Sequence, residues 1–202
     1  MLTRMRRAFE FGGYAAAAVL LVFGIAALVI SVNGRSEVRS NVERESIVGS
    51  PDMTPSAIRE EAEKAGLSAE ILDTLPTCSV AGEEISTGDE AKCFAQYMRI
   101  HALESTGGKT YSEMGRYLTA DGKDTNDPSA AATDPKTGRP VENTARNIWV
   151  TETALATALN VAFFAEQVSM FGLVVAIALI LAGLGFGILA FWVFRRQSPP
   201  AQ

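Results

Sequence analysis

The chain has 202 residues, with 18 Lys and Arg, 23 Asp and Glu, one His, a net charge of −5 and 48% apolar residues. That apolar share excludes a wholly disordered chain. Its concentration in two charge-free runs, residues 14–32 and 168–194, excludes a purely soluble globular enzyme, because each run is long enough to cross a hydrocarbon core of about 30 Å. Two runs are also too few for a many-helix transporter.

Residues 1–13 carry Arg4, Arg6 and Arg7 just before the first run. Basic residues flanking a span stay on the cytoplasmic side, so 1–13 is expected as a cytoplasmic tail and 14–32 as the first transmembrane helix. A cleaved signal peptide is the rival reading. The apolar run is longer than the usual ~7–15 residues of such a segment, and its exit, Ser31-Val32-Asn33-Gly34, is not an A-x-A-like site. An uncleaved anchor fits better.

Residues 33–167 then form an extracytoplasmic domain, which holds 13 of the 18 basic and 22 of the 23 acidic residues. A loop this long is translocated largely regardless of its charge. Helix signals recur along it, and the whole is expected to be helical. Residues 35–47 continue outward from the first span. Thr54-Pro55 is an N-cap with Pro at N1, opening a helix that Gly66 stops. Ser68 caps a short helix ended by Pro76. Thr87 and Glu90 have the spacing of a capping box before a helix to about Glu104, which Gly107-Gly108 breaks. Thr110 and Glu113 repeat that spacing before an expected helix to about Leu118. No stretch shows the alternation of a strand.

The two cysteines, Cys78 and Cys93, both lie in this segment. Their separation of 15 rules out CxxC redox spacing, and one His with two Cys cannot complete a usual structural zinc site. In an oxidising compartment the pair is expected to form one disulfide. His101 and Glu104, three apart on a helix, face one direction, but the sequence points to no further metal ligand. Thr106-Gly-Gly-Lys-Thr110 fails as a phosphate loop because Leu103 stands where the first Gly belongs. It reads as a helix stop and restart.

Residues 120–143 hold Asp127-Pro128, Asp134-Pro135, Gly138 and Pro140 and read as a flexible loop. Asp121, Asp124, Asn126, Asp127 and Asp134 within it do not follow the order of an EF-hand, since Pro128 or Lys123 occupies a ligand position. From Thr144 no Gly or Pro occurs until Gly172. One long helix is therefore expected to run through 168–194, the second transmembrane helix, about 75 Å from Thr144 to Phe194 at the helical rise. Ile148, Leu155, Leu159 and Ala162, with Trp149 and Phe163 beside them, form its expected packing stripe. The spans lack Asp, Glu, Lys, Arg and His, which argues against an autonomous pump or channel. Gly183 and Gly187 form a GxxxG, and Ala178 and Ala182 share the same spacing. Small faces of this kind let helix backbones approach closely. Arg195 and Arg196 open an expected cytoplasmic tail, 195–202.

Four strings, residues 47–53, 92–101, 106–111 and 149–166, resemble a group of uncharacterised two-span membrane proteins from actinobacteria with no established activity. The resemblance implies a membrane location and a helical outer domain, and transfers no catalytic residue.

The expected fold class is therefore an all-α membrane protein: two transmembrane helices, a helical extracytoplasmic domain inserted between them, and a second span continuous with a long outer helix. No G-x-S-x-G occurs, and a single His leaves little room for a Ser–His system. The expected role is non-enzymatic, an accessory subunit, scaffold or interaction module of the cell membrane, with no cofactor. The expected partners are membrane lipid and a protein or a second copy through the spans. The acidic outer segment argues against nucleic acid. An extracytoplasmic sensor working through a partner is the alternative, and an envelope enzyme with an unrecognised carboxylate pair is the third reading.

Overall fold

The computed structural model describes residues 2–195, with the side chains of residue 9 and of 11–192. Five helices dominate: α1 (Leu2–Arg44), α2 (Pro55–Lys64), α3 (Ala69–Leu72), α4 (Gly88–Ser105) and α5 (Arg146–Arg195). The chain divides into two compact units, residues 1–38 with 165–202, and residues 39–164.

In the first unit, α1 and α5 each contain a window of mean hydropathy 2.8 and are long and apolar enough to cross a membrane. They pack through small residues. Ala17, Gly24 and Ser31 are buried on α1, and Ala176, Gly183 and Ala190 on α5. Each set repeats every seven residues, the period of a coiled-coil seam. The approach is close. A Cβ on Gly24 would lie 2.8 Å from Ile180 Cγ1 and 3.2 Å from the Ala176 carbonyl oxygen, and one on Gly183 would lie 2.9 Å from Leu21 Cγ. Away from the seam the helices present large apolar side chains, among them Phe23, Ile30, Phe171 and Leu181, all more than half exposed. Near one end of the seam, Arg35 Nε donates to Glu166 Oε1 at 2.9 Å, with the Glu166 side chain 8% exposed.

Of the small residues expected on the packing face of α5, Gly183 and Gly187 meet α1 and Ala178 and Ala182 do not. Gly183 lies on the seam and Gly187 beside it, with Ala17 Cβ 3.8 Å from where its own Cβ would stand. Ala178 and Ala182, however, are exposed. Ala178 is five residues from Gly183, which at 3.6 residues per turn places it about 140° around the helix. The residue that continues the Gly183 face is Ala176, seven positions back. Of the expected topology determinants, Arg4, Arg6 and Arg7 lie on the first turns of α1 and Arg195 ends α5. Arg196 lies outside the described residues.

The second unit has a core of large side chains, with Ile58, Val80, Ile85 and Tyr97 almost fully buried. Its helix limits follow the capping chemistry of the sequence. Thr54 Oγ1 accepts the Ala57 N–H at 3.2 Å, Pro55 takes N1, and Gly66 leaves the helix path at φ 70°. Ser68 caps α3 through the Ile71 N–H. At α4, Thr87 Oγ1 accepts from the Glu90 N–H while Glu90 Oε2 accepts from the Ser86 and Thr87 N–H groups. This reciprocal arrangement satisfies amide groups that a bare helix start leaves open. Gly107 and Gly108, both at positive φ, end α4, and the Gly108 N–H returns to the Leu103 carbonyl at 2.7 Å.

Cys78 and Cys93 form the disulfide, with their Cα atoms 6.1 Å apart. It ties the segment before residue 80 to the first turns of α4. Beside it, the buried Tyr97 hydroxyl donates to the Cys78 carbonyl at 2.6 Å.

Two further expectations are corrected here. The segment is not helical throughout. Strands β1 (Tyr117–Leu118) and β2 (Asp124–Thr125) pair antiparallel, and isolated bridges join Val48 to Glu84, Gly49 to Ala81, Tyr117 to Glu142 and Thr133 to Pro140. No helix opens at Thr110 either. Glu113 does accept from the Thr110 N–H and hydroxyl, but the cap closes only a turn. The Gly115 N–H is taken by Asp124 Oδ2 at 2.6 Å, and the Gly115 Cα packs directly on the Thr125 backbone. The chain is thereby drawn into the hairpin. Residues 120–143 hold no helix but include β2, and backbone bonds lace them to their neighbours: Ala132 N–H to Leu118, Val141 N–H to Ala132, and Leu118 N–H to Val141.

Candidate functional site

One feature that could receive another molecule lies in the second unit, between α4, the residues after α1, and the first part of α5. It is an open cavity of about 720 Å³. Met98 and Phe94 of α4, Ile47 and Met53, and Ile148 and Leu155 of α5 supply its apolar lining. The expected stripe on α5 is thus only partly core. Trp149 and Leu159 are buried, but Ile148 is 37% and Leu155 44% exposed. The reason is that Trp149 turns inward to donate its Nε1–H to the Lys109 carbonyl at 2.9 Å, with Arg99 over its ring. That orientation leaves the neighbouring apolar positions facing the cavity. Glu152, buried at 7% exposure, adds a carboxylate to the lining.

His101, also in the lining, belongs to a second arrangement. Its Nε2 lies 2.7 Å from Asp52 Oδ2. The approach does not meet the geometry of a hydrogen bond, and Nε2 has no other partner. Glu61 of α2 completes a group in which one ligand atom from each of Asp52, Glu61 and His101 lies within 4.8 Å of the others. Glu104 stands one turn along α4 from His101, and its Oε1 is buried without a hydrogen bond.

The electrostatics of this group are uneven. The Ser50 hydroxyl holds Asp52 below the usual carboxylate range, helped by backbone and by His101, and outweighs the opposing effect of burial. Burial pushes Glu104 up; His101 opposes this, while Glu61 and Asp52 reinforce it. Three carboxylates and one imidazole therefore share a half-buried site. Among the described residues no Lys or Arg comes within ion-pair distance of any of them. Perturbed groups gathered beside a cavity are a mark of functional sites, although ion-pair networks produce them too.

The sequence singled out His101 and Glu104 but not Asp52 or Glu61. Their signal is absent from any spacing rule, because they come from the loop before α2 and from α2 itself. The acidic residues of 120–143 do not converge. Asp121 accepts from Thr119 and pairs with Lys123, Asp124 pairs with Lys109, and Asp127 and Asp134 each close their own turn. Lys109 and Thr110, once weighed as a phosphate loop, serve the turn after α4.

No family model, curated protein or solved structure matches the chain.

Proposed function

We propose that the chain is an integral membrane protein of the cell envelope with both termini cytoplasmic, in which residues 39–164 lie outside the cytoplasm and serve a non-enzymatic role as an accessory or interaction module. The observation that carries this reading is the surface of the helix pair. Only 17% of each apolar window is buried, whereas the core helix of a soluble protein would hide most of such a face. The close fit of Gly24 against Ile180 also favours a first span that is retained and paired. The Cys78–Cys93 bond suits an oxidising compartment. The resemblance to actinobacterial two-span proteins belongs to the same proposal.

The test of topology is a Ser129→Cys variant. Cys78 and Cys93 are bonded to one another, so only the new thiol is open to reagent. A membrane-impermeant maleimide should label it in intact cells. Labelling only after permeabilisation would reverse the orientation. The accessory role is tested by extracting the tagged full chain from native membranes in mild detergent. A stoichiometric partner supports it, and recovery as a lone monomer counts against it.

The cavity of about 720 Å³ favours a second reading, an extracytoplasmic ligand-binding protein. Volumes of this order are usual for small-molecule sites. An apolar fluorescent probe displaced from the full chain by a candidate ligand, and bound less well by Leu155→Glu, would support it.

A further inference from the structure

We propose that Asp52, Glu61 and His101 form a binding site for a divalent transition-metal ion of the zinc class. Three observations carry this. The ligand atoms come from three separate segments, the loop before α2, α2 and α4, yet lie within 4.8 Å of one another. His101 Nε2 is turned into the group, 2.7 Å from Asp52 Oδ2 but outside hydrogen-bond geometry, and the adjacent Glu104 Oε1 is buried without a hydrogen bond. The site also gathers three carboxylates with no Lys or Arg among the described residues in ion-pair reach, so a cation would supply the charge that the protein does not.

The donor set selects the class of ion. Imidazole nitrogen suits zinc and its neighbours, whereas calcium and magnesium are held by oxygen alone. Zinc binds His nitrogen and carboxylate oxygen at about 2.0–2.2 Å in a four-coordinate arrangement. Three ligand atoms already this close need only side-chain rotation to reach such distances. The fourth position is left to water or to Glu104. Cys78 and Cys93 are bonded to each other and do not compete for the ion. A bound ion would clip α2 and its preceding loop to α4. The inference concerns residues 39–164 alone and does not depend on how the long helices meet a membrane.

The experiment uses the full chain in mild detergent, purified through a tag without histidines and stripped with EDTA. Titration with zinc chloride is followed by calorimetry and by thermal unfolding. One zinc per chain and a rise in melting temperature with zinc concentration are expected. His101→Ala and Glu61→Gln should each weaken binding by more than about tenfold, and Glu63→Gln, on the exposed side of α2, should leave it unchanged. Glu61→Gln keeps the size and helix propensity of the residue, and matching circular dichroism of the stripped variants separates lost ligation from lost folding. Three results would overturn the proposal: no heat and no thermal shift, zinc binding that survives both variants, or calcium chloride bound as tightly as zinc chloride.

Discussion

Residues 1–38 with 165–202 and residues 39–164 are held together by opposite means. The second unit buries large side chains, Ile58, Ile85 and Tyr97 among them, and reinforces them with helix caps and a disulfide. The first unit buries almost nothing large. Its seam is Ala17, Gly24 and Ser31 against Ala176, Gly183 and Ala190, with Leu21 and Ile180 packed beside it, while Phe23, Ile30, Phe171 and Leu181 face outward. In water the hydrophobic effect rewards the first pattern and penalises the second. In lipid the apolar side chains gain nothing by turning inward, and close backbone packing between small residues becomes the available attraction. One chain thus carries two packing codes, and the second is the one that the proposed membrane location calls for.

Substitutions can break this contrast or sharpen it. The largest effect is expected at the disulfide. Replacing Cys78 and Cys93 together by Ser should destabilise residues 39–164 by about 3 kcal/mol, the chain-entropy value for a loop of this length. Thermal unfolding with and without reductant checks this, and reductant should have no further effect on the variant. Next is the seam: Gly183→Leu forces a side chain into Leu21 and the Ala17 carbonyl and should cost roughly 1–3 kcal/mol as overpacking. Ala182→Leu, one residue away on an exposed face, should fall within about 0.5 kcal/mol of the parent. Proximity crosslinking between the two helices in detergent distinguishes them. Equal behaviour of the two variants would remove the small-residue seam as the basis of pairing.

Smaller effects are expected inside the second unit. Tyr97→Phe removes the hydroxyl that donates to the Cys78 carbonyl and should cost about 1 kcal/mol, read as a lower denaturant midpoint. Glu90→Ala removes the reciprocal cap and should also cost about 1 kcal/mol. This last effect has a pH signature. Burial acts to raise Glu90, but hydrogen bonds from Ser86 and Thr87 prevail and hold it below its ordinary value of 4.5. A carboxylate lowered in the folded state contributes stability above its unfolded value and loses it as protons bind. The gap between parent and Glu90→Ala should therefore be full above pH 4.5 and narrow as the pH falls below it. A gap that stays constant into acid would show that the carboxylate charge is not what caps α4.

What could be read from the sequence was chiefly local. Thr54-Pro55, Ser68, the Thr87–Glu90 pair, Gly66 and Gly107-Gly108 each act within one turn of chain, and each marks a helix limit in the structure. The long α5 was legible because nothing between Thr144 and Gly172 interrupts it. The hairpin was not legible, because β1 and β2 are two residues each and too short to show alternation. Thr110 and Glu113 make the expected side-chain contact, but the decision between helix and turn belongs to Asp124, Thr125 and their hold on Gly115. Asp52 and Glu61 meet His101 only through tertiary packing.

The ion pair at the end of the seam bears on how the two long helices find their alignment. A strip of glycine, alanine and serine repeating every seven residues is nearly self-similar, so sliding one helix past the other by one repeat would lay small residues on small residues again. Arg35 and Glu166 are not repeated. Such a slide would break the Arg35–Glu166 contact, because Leu28 and Val42 stand seven residues either side of Arg35. The pair acts as an index mark: the small residues permit several alignments of the same quality, and the Arg35–Glu166 contact is made in one of them.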